Sequence, residues 1–162
     1  MYGFYTRIDY LLMKTGQGLW LELNYADGGM HNYPRTFLIM SVNDEYIQML
    51  NVSSLNGKQY KVGFKSNKNI EYYKPPFWKQ SFVKLDGLYI LENDKRLEDF
   101  LVQDHRRIKP SQLLDIQSAY TEYEKNGGKI DIIKFSIDEI LELNQPSARN
   151  ESAYTKATED QN

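Results

Sequence analysis

The sequence predicts a mainly β fold with C-terminal helices, in which a small, strongly curved barrel or half-barrel sheet packs against a helix. Two observations support this prediction. In the first half of the chain, short runs alternate apolar and polar residues between glycine-containing turns, which is typical of strands. In the second half, apolar residues recur at helical spacing behind proline and serine, which favour helix starts. Many short strands followed by helices indicate the α+β class.

The first two predicted strands flank a glycine-rich loop between residues 16 and 44. Leu19, Leu21 and Leu23 recur at the period of a half-buried strand, and residues 36–40 form an apolar run suited to a core strand. The paired glycines between them tolerate positive φ. Arg35 stands where the loop meets the second strand, a good position for a cation that holds a phosphate. An ordinary hairpin with a surface arginine is the alternative interpretation.

Further strand patterns fill the rest of the first half. Residues 46–52 are predicted to form a third strand, and Asn56-Gly57 is a strong hairpin signal. The alternating residues 60–64 are the expected partner strand of that hairpin. A longer pattern covers residues 81–91, in which Gly87 marks a bulge or a close approach of another segment.

The second half predicts helices joined by a short extended segment. A short helix is expected over residues 94–101, and Pro110 opens a longer one. Near one face of that longer helix we expect Leu113, Leu114, Ile116, Gln117 and Tyr120. Residues 130–135 form either a strand or an extended connection. Ser136 and Glu139 have the spacing of a capping box at the start of a final helix.

The length and composition of the chain limit its domain organisation and the types of catalytic or metal site it can contain. The 162 residues predict one domain over residues 1–143 and a disordered polar tail over residues 144–162, which has no aliphatic side chain beyond alanine. The absence of cysteine excludes disulfides and a thiol nucleophile, and two histidines argue against a histidine metal site, so no cofactor is expected. No signal peptide or membrane-spanning run is recognisable, which predicts a cytoplasmic protein with no membrane association.

Charge is unevenly distributed along the chain. The formal net charge of −2 gives no overall attraction to nucleic acid. Between Lys58 and Lys84, however, seven lysines stand against one acid, Glu71, and aromatic residues are interleaved with them. Lysines that neutralise phosphates and rings that stack on unpaired bases are the ingredients of single-strand binding. A tyrosine-rich sheet edge protected by lysines against aggregation fits the same pattern, and both interpretations stay open.

Four segments, in order, resemble the MazF/PemK family of toxin endoribonucleases. A strand with Gly18 and Trp20 leads into a glycine-rich loop, followed by an arginine step and an aliphatic strand. Here Pro34 precedes Arg35, whereas the family pattern has proline after the arginine. Residues 51–54, Asn-Val-Ser-Ser, are similar to the family's Pro-Val-Thr-Ser element, with serine keeping the hydroxyl group.

The other two segments lie further along the chain. Residues 81–86 resemble a family strand with a basic residue and an aspartate two positions apart, here Lys84 and Asp86. The Arg-Thr pair that usually follows is replaced by residues 87–90. The helix over residues 110–123 resembles the closing helix of the family, so the resemblance covers roughly residues 16–123.

The resemblance implies a small SH3-like barrel with a packed helix and a homodimer. It also implies cleavage of single-stranded RNA without a metal ion, leaving a cyclic phosphate and a 5′-hydroxyl, and inhibition by an antitoxin protein that occupies the RNA groove. The substrate's own 2′-hydroxyl is the nucleophile in such a reaction. The enzyme then supplies a proton acceptor, a donor to the leaving oxygen and positive charge near the phosphorane.

The implied roles fall on a small set of side chains. Arg35 would stabilise the phosphorane, Ser53 would hydrogen-bond a phosphate oxygen, and Asp86 would act as the base. Lys84 would donate to the leaving oxygen, and His31 in the loop is an additional acid or base. The residues expected to contact RNA are Ser54, Lys58, Lys61, Lys65, Tyr72 and Trp78.

Other functions fit the same sequence. The first is a non-catalytic nucleic-acid- or protein-binding barrel of the same fold, from a phage or other mobile element. The second is a structural protein whose aromatic surface is a dimer interface. For individual residues, Lys84 and Asp86 can be a surface ion pair, and Ser53-Ser54 can simply end a strand before the Asn56-Gly57 turn.

Overall fold

The computed structural model describes residues 13–30, 33–70, 76–77 and 79–145, and in this part of the chain it shows a mixed α+β fold with a six-stranded sheet. The strands are β1 (Gly18–Leu21), β2 (Arg35–Val42), β3 (Tyr46–Ser54), β4 (Asn67–Ile70), β5 (Ser81–Glu92) and β6 (Asp131–Phe135). The α-helices are α1 (Pro110–Lys125) and α2 (Ile137–Leu143); short 3₁₀ helices cover Gln59–Gly63 and Lys95–Phe100, and a left-handed turn covers Gln103–His105. The predicted mainly β fold with C-terminal helices is confirmed at this level.

The long strand β5 organises the sheet. The strand order is β1-β2-β3-β5-β4, all antiparallel, and β6 adds to β5 in parallel. The N-terminal half of β5 pairs with β4 and its C-terminal half pairs with β6, so both lie on the side away from β3. Within the described residues the sheet is open, with β1 at one edge. The SH3-like barrel therefore stays a prediction.

Both faces of the sheet are buried, because neighbouring residues of the same strands enter different cores. In β2, Phe37 and Ile39 belong to one core, and Leu38 and Met40 belong to the other. The first core is completed by Leu97, Phe135, Ile137 and Ile140, and the second by Ile70, Phe77, Ile108, Leu113 and Ile116. Burying each such side chain contributes roughly 1.5–3 kcal/mol. Two cores on one sheet hold the strands that carry the site.

The helices follow the predicted boundaries closely. Proline stands at the start of α1, and the capping box of Ser136 and Glu139 opens α2 with both of its hydrogen bonds formed. The short helix predicted over residues 94–101 is a 3₁₀ helix capped by the side chain of Asp94. Leu114 departs from the prediction: its side chain is 63% exposed, because it falls outside the face that α1 turns to the sheet. No helix in the described part of the chain is long and apolar enough to span a membrane.

The predicted partner strand over residues 60–64 is wrong. The Asn56-Gly57 turn forms, with Gly57 at a φ of 72°, but it leads into the 3₁₀ helix Gln59–Gly63, and β3 pairs with β5 instead. The prediction for Gly87 is confirmed as a close approach, since a Cβ atom there would lie 3.2 Å from the Cβ of Ala26.

The boundary between domain and tail lies near Asn144. Its side chain is 5% exposed and exchanges hydrogen bonds of 2.8 and 3.0 Å with the backbone of Glu22. Asn144 therefore packs with the sheet although the predicted tail begins at this residue. Residues 146–162 of the predicted tail lie outside the described residues.

A left-handed turn precedes α1. Gln103, Asp104 and His105 have φ angles of 52°, 56° and 61°, a conformation that costs a non-glycine residue roughly 1–2 kcal/mol. The turn is anchored by Gln17, which is 3% exposed and donates from Nε2 to the carbonyl of His105 over 3.0 Å. The surrounding structure therefore holds a backbone conformation that the residues themselves disfavour.

Candidate functional site

An open groove of about 770 Å³ crosses the sheet where four of the five predicted catalytic residues meet. The groove residues that the sequence predicted as functional are Arg35, Ser53, Ser54, Lys58, Lys61, Lys84 and Asp86. They come from four successive pieces of the chain: the start of β2, the end of β3, the segment after it, and β5. Because β3 lies between β2 and β5 in the sheet, these pieces converge.

A large bulge in β5 shapes the floor of the groove. Leu50 pairs with Leu88 and Val52 pairs with Val83, so the four residues 84–87 of β5 face the single residue Asn51 of β3. Bulges bend a strand, increase its twist and re-aim side chains, and they are common beside active sites. Here the bulge carries Lys84 and Asp86 into the groove, at the point where β5 changes partner from β4 to β6.

The guanidinium of Arg35 is held by the loop and by aromatic rings. Nη2 donates to the carbonyl of Leu23 over 3.0 Å, and Nη1 donates to the hydroxyl of Tyr89 over 3.4 Å. The guanidinium carbon lies 4.1 Å from the ring centroid of Tyr25 and 5.1 Å from that of Phe37, in the range of cation–π attraction. Its Nε is buried and has no hydrogen-bond partner among the described residues. Arg35 is therefore fixed in direction at the groove wall.

Two tyrosines support Arg35, and the sequence analysis did not single them out. The hydroxyl of Tyr89 accepts from the backbone of Ala26 over 3.1 Å as well as from Arg35, which links the glycine loop to β5. Burial, followed by a hydrogen bond with Tyr33, raises the pKa of Tyr25, and the charge of Arg35 opposes this only in part. Tyr25 therefore presents a neutral ring to the cation at neutral pH.

Lys84 and Asp86 are half-buried side chains of the bulge. Within the described residues no ion pair joins them at 4.0 Å or less, so the predicted alternative of a surface ion pair is not found. Both also line a smaller cavity of about 60 Å³, together with Tyr25, Asn51 and Tyr89. Asn51 is 6% exposed and its Nδ2 donates to the carbonyl of Thr36 over 3.1 Å. Lys84 and Asp86 are thus gathered beside Asn51 on a floor that is fixed to β2.

Charge in the groove is opposite in sign to that of the whole chain. Its described lining contains five cations and one acid: Arg35, Lys58, Lys61, Lys79 and Lys84 against Asp86. Aromatic side chains stand among them: Trp20, Tyr25, Tyr33, Phe64 and Phe82. Trp20 is 44% and Phe64 is 50% exposed, so their rings are accessible to a ligand. Cations and accessible rings together fit an anionic, aromatic polymer.

Some predicted site residues are not part of the groove as described. Lys65 is exposed and does not line it. His31, Tyr72 and Trp78 lie outside the described residues. Among the described residues, no group of three or more histidine, aspartate or glutamate side chains is arranged to hold a metal ion.

Tyr25, Asn51 and Tyr89 are the functional candidates that the sequence analysis missed. Tyr25 ends the alternating run of Leu19, Leu21 and Leu23, so its position next to the core was visible in the pattern. Nothing in the sequence signals the contacts of Tyr89 or Asn51 with distant residues, since they depend on how the strands pair.

Comparison of the chain with models of known protein families finds no match, and comparison with curated proteins finds none either. The resemblance to the MazF/PemK family therefore stays a prediction.

Proposed function

We propose that this protein binds single-stranded RNA in the groove and cleaves it by attack of the RNA's own 2′-hydroxyl, without a metal ion. The observation that carries the proposal is the convergence of Arg35, Ser53, Lys84 and Asp86 in one open, positively charged groove. A toxin role, an antitoxin partner, a homodimer, an SH3-like barrel and a cytoplasmic location are further predictions from the resemblance.

The groove suits an unpaired strand better than a duplex. Its lysines can neutralise successive phosphates, and its accessible rings can stack on bases only when those bases are unpaired. Lys58 precedes the 3₁₀ helix Gln59–Gly63, Lys61 lies in that helix, and Lys79 precedes β5, so several cations lie near the catalytic candidates.

In the proposed reaction, residues of the groove supply the base, the acid and the donors that stabilise the phosphorane. Asp86 takes the proton of the 2′-hydroxyl, and the oxygen attacks phosphorus to form the 2′,3′-cyclic phosphate. The bond from phosphorus to the 5′-oxygen breaks, and Lys84 gives a proton to that oxygen to leave a 5′-hydroxyl. Arg35 and the hydroxyl of Ser53 stabilise the negative oxygens of the phosphorane.

The test is cleavage of single-stranded RNA by the purified protein in excess chelator. We expect products that end in a cyclic phosphate and begin with a 5′-hydroxyl. A 2′-deoxy substitution at the cleaved position removes the nucleophile, so it should abolish cleavage there and leave binding intact. Cleavage that survives this substitution, or no cleavage across varied RNAs, would refute the proposed reaction.

Binding should depend on salt through the groove lysines. Changing both Lys58 and Lys61 to alanine is expected to reduce the slope of log affinity against log salt by roughly 0.7 per lysine, as for single strands. Lys125→Ala is the matched control, since Lys125 is exposed at the end of α1 and does not line the groove. An equal change in slope for the control would place the RNA elsewhere on the protein.

One observation favours a second function, that of a non-catalytic single-strand-binding module. The bonds from Arg35 to Leu23 and Tyr89 use part of the guanidinium fork, so Arg35 can serve mainly to fix the loop. That function predicts salt-sensitive binding of RNA and DNA alike, with no cleavage of either.

A further inference from the structure

A second cavity of about 400 Å³, the side cavity, adjoins the groove. Five residues line both spaces: Trp20, Thr36, Val52, Ser54 and Lys79. A polymer strand that lies in the groove therefore reaches the side cavity directly. Its volume falls in the range of about 300–1,000 Å³ that small-molecule sites occupy.

The walls of the side cavity are mainly apolar and closely packed. Phe77 is 4% exposed, and Pro76 and Val102 stand beside it. These side chains approach β1 because residue 18 is glycine: a Cβ atom there would lie 2.8 Å from Cγ2 of Val102 and 3.3 Å from Cε1 of Phe77. Gly18 therefore allows an apolar wall to form directly behind Trp20.

The left-handed turn contributes one of the polar residues that line the side cavity. Gln103, the first residue of this turn, lines the cavity with its φ at 52°. The backbone of Val102 donates to Gly18 over 3.0 Å, and that of Arg106 donates to Gln103 over 3.2 Å, so the turn is tied to β1. Backbone strain of this kind concentrates at ligand-binding and catalytic positions.

We propose that the side cavity binds one base of the RNA strand, with Trp20 as its stacking surface and the amide of Gln103 as the group that selects the base. This rests on the proposed function, since it assigns a specificity subsite to the same groove. Mainly apolar walls with a few polar groups, here Gln103, Ser54 and Lys79 among others, are the usual composition of a small-molecule site. The five cations of the joined groove favour a nucleic acid over a peptide as the occupant.

The proposed stacking of a base on Trp20 is tested with 2′-O-methyl oligonucleotides. These cannot be cleaved, so the experiment measures binding alone. One abasic position is moved along the strand. We expect one position at which removal of the base weakens binding to the wild-type protein roughly five- to a hundredfold. Trp20→Leu should weaken binding of the intact strand by a similar factor. The variant should bind the strand that is abasic at this position as well as it binds the intact strand. Trp20→Phe keeps a ring and should restore part of the affinity.

The proposed role of Gln103 in base selection is tested by measuring the affinity for strands that carry each of the four bases at that position. Gln103→Gly removes the amide and tolerates positive φ, so it should reduce discrimination among the bases severalfold with little loss of stability. Asp104→Gly makes the same backbone change in the same turn at a residue that does not line the side cavity, and discrimination should stay unchanged. Gln103→Asn retains an amide and should keep part of the preference.

The outcomes separate this proposal from the proposed function. Salt-sensitive binding with equal losses at all abasic positions would overturn the base subsite and leave RNA binding in the groove intact. Unchanged RNA affinity in Trp20→Leu would also overturn it. Absence of any salt-sensitive binding by the wild-type protein would refute both. Base-specific binding without cleavage would support the subsite and refute the reaction alone.

Discussion

Arg35→Ala is expected to lower the rate of RNA cleavage about 10²–10³-fold, the usual cost of removing one donor that stabilises a developing negative charge. Arg35 lines the groove and its guanidinium is fixed by bonds to Leu23 and Tyr89, which preorganises the side chain for the proposed role. The variant should also lose roughly 1–3 kcal/mol of unfolding free energy, because it loses these bonds and the stacking on Tyr25. Single-turnover cleavage rates and urea unfolding measure the two effects.

Two further variants separate catalysis from stability. Arg35→Lys keeps the charge but loses the planar fork, so most of the rate loss should remain. Tyr89→Phe keeps the ring that packs on Phe37 but removes the hydroxyl, and should lower the rate far less than Arg35→Ala. Arg96→Ala, an exposed arginine that pairs with Asp94, is the matched control and should cleave at the wild-type rate. Wild-type cleavage in Arg35→Ala, with reduced stability, would make Arg35 a structural residue only.

Local pattern was sufficient for most elements of the fold. Leu19 and Leu21 are fully buried as their alternation predicts, since a strand with one face on a core repeats every two residues. Leu23 is buried as well, although β1 ends at Leu21. The capping box of Ser136 and Glu139 is also a local signal, because all its bonds lie within four residues. These predictions needed no knowledge of which strands are neighbours.

Long-range pairing could not be read from the sequence. Residues 60–64 alternate like a strand and follow a good turn, yet residues 60–63 belong to a 3₁₀ helix that has no buried residue. β3 instead pairs with β5, which begins 27 residues after β3 ends at Ser54. The pairing is decided by burial of both sheet faces, as in the second core, and no turn signal encodes that.

In the candidate site, too, short motifs predicted the residues, but no local pattern predicted the bulge that brings two of them together. Arg35, Ser53, Lys84 and Asp86 were predicted from a resemblance of short motifs, and the structure brings them to one groove. The bulge that gathers Lys84 and Asp86 depends on β5 pairing with three strands at once, and no local pattern predicts it.

Asp86→Asn is expected to lower the cleavage rate by about 10²–10⁴-fold, the usual contribution of a positioned acid or base. Asparagine has nearly the same shape and cannot accept the proton of the 2′-hydroxyl, so binding of uncleavable RNA should change little. Lys84→Met keeps the length of the side chain but removes its proton, and it should reduce the rate by a comparable factor. Burst and single-turnover measurements at saturating RNA isolate this chemical step.

A modified substrate assigns the two roles separately. RNA in which sulfur replaces the 5′-bridging oxygen has a leaving group that departs without protonation, so it needs no general acid. Lys84→Met should therefore regain most of its lost rate on this substrate, whereas Asp86→Asn should stay slow because the 2′-hydroxyl still needs a base. Rescue of Asp86→Asn and not of Lys84→Met would reverse the assignment. Equal deficits on both substrates would mean that these groups, which line the same groove without pairing, act on the phosphate by charge and hydrogen bonding alone.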